Sequence, residues 1–286
     1  MASIGLINQD TIIFGDCLNV MKEIKDKSID AVICDLPYGS TACAWDVVIP
    51  FQELWSEYKR IVKDNGAIVL FGNNPFSSQL ISSNLKMYKY DWIIEKTHTT
   101  GHLNAKKRPM KTHELIHVFY KKLPIYNPQK TQGHVRKKIV KRKTETELYG
   151  KESGEVQIYD STERYPRSVQ KFKWDKQNSS RHSTQKPVEL YEYLIKTYTN
   201  EGEVILDNCS GSGTIAIAAI NTKRHFIAIE KNEIEYLKSC ERLESHKNGR
   251  GIECLWINPE AVKNIFQMTI NDFMEVSNDQ LDMARV

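Results

Sequence analysis

Short apolar runs, each followed by a stretch with helical spacing, limit the fold of this chain more than any other feature. Residues 11–14, 29–34, 67–71, 204–206 and 226–229 are strand-length and rich in β-branched side chains. Between them apolar residues recur every three or four positions. Phe51, Leu54, Trp55, Tyr58, Ile61 and Val62 do so before Asp64-Asn65-Gly66, a good helix terminus. The same reading predicts helices from 17 to about 25, over 75–85, from Pro187 to about 198, over 214–220 and from 234 to about 243, with strands at 90–95 and 114–120. Strands joined by helices imply an α/β, mostly parallel sheet covered on both faces, with ligands at the carboxyl ends of its strands.

At 286 residues the chain can bury a substantial core, as one large domain or a domain with a sizeable insertion. No apolar run approaches the roughly 20 residues of a membrane span. The first residues lack the basic and apolar regions of a secretory signal, so the expectation is a cytoplasmic protein with no membrane partner. Six cysteines are scattered without a Cys-x-x-Cys pair, which argues against a zinc cluster or a disulfide framework and for reduced, mostly buried thiols. Charge is unevenly placed. Residues 121–181 hold 16 Lys+Arg against 7 Asp+Glu, net +9, leaving 24 against 29, net −5, elsewhere. With Tyr149, Tyr159, Tyr165, Phe172 and Trp174 interleaved, this block suits a polyanion-binding insertion, the plainer reading being a solvated basic loop.

Two turns at strand ends carry the chemistry. Asp35-Leu36-Pro37-Tyr38 follows the run 29–34 and puts a carboxylate, a kinked backbone and an aromatic ring where a flipped-out base would fit. Asp207-Asn208-Cys209-Ser210-Gly211-Ser212-Gly213-Thr214 follows the run 204–206 and opens a helix, with Glu230 at the end of the next strand. Glycines there let the backbone approach a ligand, and an acidic side chain accepts from ribose hydroxyls. This physics does not separate a nicotinamide dinucleotide from S-adenosylmethionine. Asp207 is placed to meet an ammonium group, and Asp16, at another strand end, to accept from an adenine amine; both are also ordinary helix-capping residues. His113-Glu114-Leu115-Ile116-His117 spells a zinc-protease motif, but alternating apolar residues place it on a strand, where histidines four apart do not gain the helical chelating geometry. No metal site is expected.

Taken together, these residues resemble the β-class DNA amino-methyltransferases. The likeness covers about residues 10–240 and rests on five segments in order: Gly15-Asp16-Cys17-Leu18, Asp35-Leu36-Pro37-Tyr38-Gly39, Lys111-Thr112-His113-Glu114 leading into Phe119-Tyr120-Lys121, His182-Ser183-Thr184-Gln185-Lys186-Pro187, and Asp207 to Thr214. The chain departs from the family pattern at Leu36, where Pro is usual, and at Asn208-Cys209, where Pro-Phe is usual.

The resemblance implies a Rossmann-like methyltransferase sheet with permuted motif order and S-adenosylmethionine as cofactor. Asp35, Leu36, Pro37 and Tyr38 would form the catalytic turn. Asp207, Cys209, Gly211, Gly213, Thr214 and Glu230 would hold the methionine and ribose parts, Asp16 and Cys17 the adenine, and Thr184, Gln185 and Lys186 the carboxylate side. It also implies a catalytic domain over 1–120 and 182–246, a target-recognition insertion over 121–181 and a C-terminal extension over 247–286, in which Ile265, Phe266, Ile270 and Phe273 suggest a helix packed on the body or on a second subunit. The expected partner is double-stranded DNA, with a homodimer left open, in a bacterial or phage-encoded enzyme. Adenine N6 is the expected target because the family's cytosine-N4 members more often begin the tetrapeptide with Ser. Competing readings are cytosine N4, a nicotinamide-dependent oxidoreductase, and a DNA-binding subunit without catalysis.

Overall fold

The computed structural model describes residues 8–41, 43, 46–140, 158–173, 186–246 and 253–256. In chain order the elements are β1 (Thr11–Phe14), α1 (Cys17–Met21), β2 (Ile29–Cys34), α2 (Phe51–Ile61), β3 (Val62–Gly72), α3 (Phe76–Ser83), β4 (Tyr88–Thr100), β5 (Lys111–Phe119), β6 (Lys137–Val140), β7 (Ile158–Ser161), β8 (Val169–Phe172), α4 (Val188–Tyr198), β9 (Val204–Asp207), α5 (Thr214–Asn221), β10 (His225–Glu230), α6 (Glu233–Glu244) and β11 (Glu253–Trp256). Among the described residues nine strands form one sheet in the order β11-β1-β10-β9-β2-β3-β5-β4-β8. Only β5 runs against its neighbours β3 and β4. The Rossmann-like, mostly parallel sheet expected from the sequence is present.

Strand alternation sends successive side chains to opposite layers. Ile12, Ile33, Val69, Phe226 and Ala228 pack with α4, α5 and α6 in one buried cluster. Their neighbours Ile13, Val32, Cys34, Ile68, Leu70, Ile227 and Ile229 pack with α1, α2 and α3 in the other. Both sheet faces are therefore closed, and the chemistry is left to the strand ends.

Several elements differ from expectation. The first helix stops at Met21, because the Arg60 guanidinium takes the carbonyls of Met21 and Ile24 and Lys27 turns the chain through a left-handed conformation into β2. Asp64-Asn65-Gly66 is not a helix terminus followed by a separate strand: β3 begins at Val62 and bulges before Ala67 pairs with Ala31. Gly66 is required by close approach, since a Cβ there would lie 2.7 Å from the Asp30 carbonyl oxygen. Strand β8, from the stretch expected to be wholly insertion, joins the main sheet beside β4. Strand β11 adds an edge beside β1 that no sequence signal announced. The helix suggested around Ile265 to Phe273 lies outside the described residues, as do Tyr149 and Trp174 of the basic block. Of the six cysteines, Cys17, Cys34 and Cys240 are buried, Cys209 is half-buried, and Cys43 and Cys254 are exposed, all as free thiols.

Candidate active site

The ends of β1, β2, β9 and β10 open into one cavity of about 1030 Å³. Asp35, Leu36, Pro37 and Tyr38 line it together with Asp16, Cys17, Lys186, Cys209, Gly211, Thr214 and Glu230. The early acidic turn and the late glycine turn thus share one chamber. Thr184 and Gln185 lie outside the described residues.

On the glycine side, backbone groups meet carboxylates. Gly211, at φ +50°, donates its N–H to Glu230 Oε2 at 2.7 Å, while Glu230 Oε1 accepts from the Asn232 N–H at 2.7 Å. Burial pushes the Glu230 carboxyl up despite these bonds. A Cβ on Gly211 would meet nothing within 4 Å, so any side chain there would project into free space beside the cavity. Asp16 caps α1, accepting from the N–H groups of Leu18 and Asn19, and still borders the cavity. The Cys209 thiol, then burial, pushes the Cys17 thiol far above its usual range, which keeps the thiol protonated. Asn208, at a position where the family usually has Pro, accepts from the Tyr58 hydroxyl at 2.6 Å and so ties the turn to α2.

Three of the residues singled out in the sequence sit differently from the rest. Asp207 does not line the cavity: it is still paired within the sheet, only 2% exposed, and accepts from the Cys209 N–H beneath the floor. Burial drives its pKa up to about 7. Gly213 also faces away from the cavity. Its left-handed backbone starts α5, and a Cβ there would meet the Ser239 Cβ at 2.9 Å, so its role is close helix packing. Lys186 does line the cavity, but its ammonium pairs with Asp35 Oδ2 rather than standing free for a ligand carboxylate.

The acidic-turn side is built from side chains. The Tyr38 hydroxyl donates to Asp35 Oδ1 at 2.6 Å, and burial, then the Asp35 charge, raises the Tyr38 pKa well above normal, so it remains a donor. Phe76 backs the Tyr38 ring, with centroids 4.9 Å apart. Burial lowers the Lys186 pKa, but Asp35 and Glu114 outweigh it and hold the ammonium charged. Asp46 closes the following loop by accepting from the N–H groups of Gly39, Ser40 and Thr41 at 2.7–2.8 Å. Burial opposes its charge, yet hydrogen bonds from Thr41, Gly39 and Ser40 keep its pKa below the ordinary carboxylate value.

A second polar wall, most of it absent from the sequence reading, completes the cavity. Asn73, Lys96, His98, Thr100, Lys111, Glu114 and Tyr191 line the same cavity. The Lys96 ammonium bonds Glu114 Oε1 at 2.9 Å, and Asn73 donates to Glu114 Oε2 at 3.0 Å while accepting from Lys111. Burial works against the Glu114 charge, but Lys186, Lys96 and Lys111 hold its pKa down. The available signal was the segment Lys111-Thr112-His113-Glu114, which carries part of the family resemblance and overlaps the zinc-protease motif. That motif lies on β5, as expected, and the buried His117 bonds Ser77 through Nε2 at 2.8 Å.

A chamber with an acidic Pro-Tyr turn facing a glycine turn defines a methyltransferase-type site, and comparison with known proteins agrees. Residues 29–242 match the DNA methylase family of N6 and N4 methyltransferases, and the chain belongs to that family. It is 27% identical to the type II methyltransferase M.HpaI of Haemophilus parainfluenzae over 83% of this chain and 75% of that protein. It is also 27% identical to the DNA adenine methyltransferase YhdJ of Escherichia coli K12, over 80% of each. The crystal structure of the M1.HpyAVI–SAM complex has the same fold, with a TM-score of 0.56 at 23% identity over 82% of this chain and 98% of that one.

Proposed function

We propose that the chain methylates adenine N6 in specific sites of duplex DNA, using S-adenosylmethionine and extruding the target base into the cavity. The observation that carries this reading is the meeting of Asp35 and Tyr38 with Gly211 and Glu230 around one chamber. Similarity to an adenine methyltransferase supports adenine over cytosine. Family membership leaves the nicotinamide reading without support.

The glycine side suits the methyl donor. Glu230 offers acceptor oxygens at a strand end, and Gly211 leaves space where a side chain would intrude. Gly211, Thr214 and Glu230 would hold the methionine and ribose parts, and Asp16 and Cys17 would flank the adenine ring. S-adenosylmethionine supplies a methyl group on a sulfonium, an electrophile open to a neutral nitrogen.

The remaining chemistry belongs to the protein. An exocyclic amine on an aromatic ring is a poor nucleophile because its lone pair is delocalised. Acceptors for its two N–H bonds draw the nitrogen toward tetrahedral geometry, and the Asp35 carboxylate with the Leu36 carbonyl would supply them. Tyr38 and Lys186 each occupy one Asp35 oxygen, but a carboxylate has about four acceptor sites, so an N–H can still be received. Extrusion costs a few kcal/mol, which contact with the Tyr38 ring partly offsets. Residues 121–181 would form the recognition insertion, in a domain completed by 1–120 and 182–246.

Mass spectrometry of nucleosides from DNA treated with the protein tests the assignment. N6-methyladenine is expected, and N4-methylcytosine as sole product would overturn the choice of base. Asp35→Ala should reduce transfer by about 10²–10³-fold or more, the scale of losing a group aimed at the reacting centre, with duplex binding largely intact. Full activity in that variant contradicts the mechanism.

A further inference from the structure

Positive charge in this chain is not confined to the block at 121–181. From Lys96 to His113 there are five Lys and Arg residues and no Asp or Glu. Strands β4 and β5 pair as far as Thr100 opposite Lys111, and both of these residues line the cavity. The ten residues joining them, 101–110, therefore spring directly from the cavity wall that faces Asp35 and Tyr38.

This connection is held in shape. Gly101, at φ +91°, starts a short 3-10 turn over His102–Asn104, and the N–H groups of Asn104, Ala105, Lys107 and Arg108 all bond carbonyls within the turn at 2.9–3.1 Å. On it Leu103 is 87% exposed, and Lys106, Lys107 and Arg108 are exposed beside it. An ordered turn that presents a large, almost fully exposed aliphatic side chain beside three cations matches what a duplex offers at a site of base extrusion. The apolar group can replace stacking lost between base steps, and the cations can neutralise flanking phosphates.

We propose that the β4–β5 turn is a duplex-contacting element, with Leu103 entering the base stack beside the extruded nucleotide and Lys106, Lys107 and Arg108 holding the adjacent phosphates. The proposal rests on the methyltransferase reading and adds a strand-opening device to it. In the described part of the block at 121–181 several cations are already tied to carboxylates, as in Lys130 with Glu163, Arg136 with Asp160 and Lys171 with Glu95.

The test uses the full chain and short synthetic duplexes carrying the methylated site, located beforehand by sequencing treated plasmid DNA. Leu103→Ala should slow single-turnover methylation of the matched duplex about tenfold or more. On a duplex with an abasic position opposite the target, where extrusion is already easy, the variant should match the unaltered protein. Equal rates on the matched duplex overturn the wedge. A fluorescent 2-aminopurine at the target position reads extrusion without chemistry: the unaltered protein should brighten it and Leu103→Ala should not, while equal brightening by both also overturns the wedge. Replacing Lys106, Lys107 and Arg108 together by Ala should make the dependence of log affinity on log salt shallower by about 2.7, three phosphates at roughly 0.9 each. An unchanged slope removes the phosphate part of the proposal. Failure of the underlying reading would look different: the unaltered protein would methylate no DNA of any sequence.

Discussion

The two ends of the cavity are made in different ways. At the glycine end, backbone N–H groups do most of the shaping: Gly211 N–H meets Glu230 across two neighbouring strands, and Asp16 caps the helix it precedes. At the acidic-turn end, charges arrive from four distant places, with Asp35 after β2, Lys96 on β4, Glu114 on β5 and Lys186 before α4. The first end depends on backbone conformation and the second on buried charge balance. Substitutions should therefore fail in different ways: glycine changes should read out in donor affinity or packing, and charge changes in turnover and global stability.

Lys186 separates the two descriptions most sharply. If its work is to hold Asp35, Lys186→Met should lower kcat with little change in donor affinity. The loss of a hydrogen bond to a charged group is worth roughly 1.5–3 kcal/mol, or about 10- to 150-fold. If instead it serves a donor carboxylate, as the sequence pattern implied, the Kd for S-adenosylmethionine should rise and kcat at saturation should hold. Single-turnover kinetics with donor titration distinguishes these outcomes.

The Lys96–Glu114 pair should act chiefly on stability. Its side chains are 7% and 11% exposed, so Glu114→Ala strands a buried cation. Losing one partner of a buried pair typically costs about 3–5 kcal/mol, whereas removing both is far milder. Denaturant unfolding should show a large loss for Glu114→Ala and recovery of more than half of it in Lys96→Met/Glu114→Leu. An unaltered midpoint for the single variant would mean that water already screens the pair.

This difference also explains what could be read in advance. The sheet, both turn motifs and the strand character of residues 113–117 were legible because each is encoded within a few residues, by β-branched runs, glycines or alternation. Asn73, Lys96 and Tyr191 were not. Each is unremarkable in its own stretch, and only the register of β3, β5 and β4 brings the first two to Lys111 and Glu114. The bulge at Gly66 was missed because Asp-Asn-Gly is also an ordinary helix stop, and only contact with Asp30 decides between the two. The depth of Asp207, 2% exposed at the end of β9, was not legible because a motif gives position along the chain but not depth.

The two glycines divide the glycine end further. Gly211→Ala forces a left-handed alanine, a strain of about 1–2 kcal/mol, and adds a methyl beside the cavity. Gly213→Ala carries similar strain and must also push Ser239 away. Donor affinity measured by calorimetry should fall mainly in the first variant, and melting temperature mainly in the second. Equal loss of affinity in both would show that α5 and the glycine turn move as one unit.

Asp207 tests whether depth matters at the glycine end. In the unfolded chain this carboxyl ionises near 3.8, and in the fold burial raises it to about 7. Between those values the unfolded state has released a proton that the folded state still holds, so folding becomes less favourable as pH rises. The group's contribution to stability is fully present below about 3.8 and is lost as pH climbs through 7. Asn cannot ionise, keeps an oxygen for the Cys209 N–H and escapes that loss. Asp207→Asn should therefore melt a few degrees higher than the unaltered protein at pH 8, with the gap closing toward pH 4. A variant that melts lower at pH 8 would mean that a cation or water already stabilises the ionised carboxylate, and Asp207 would then belong with the charge-balanced end of the cavity.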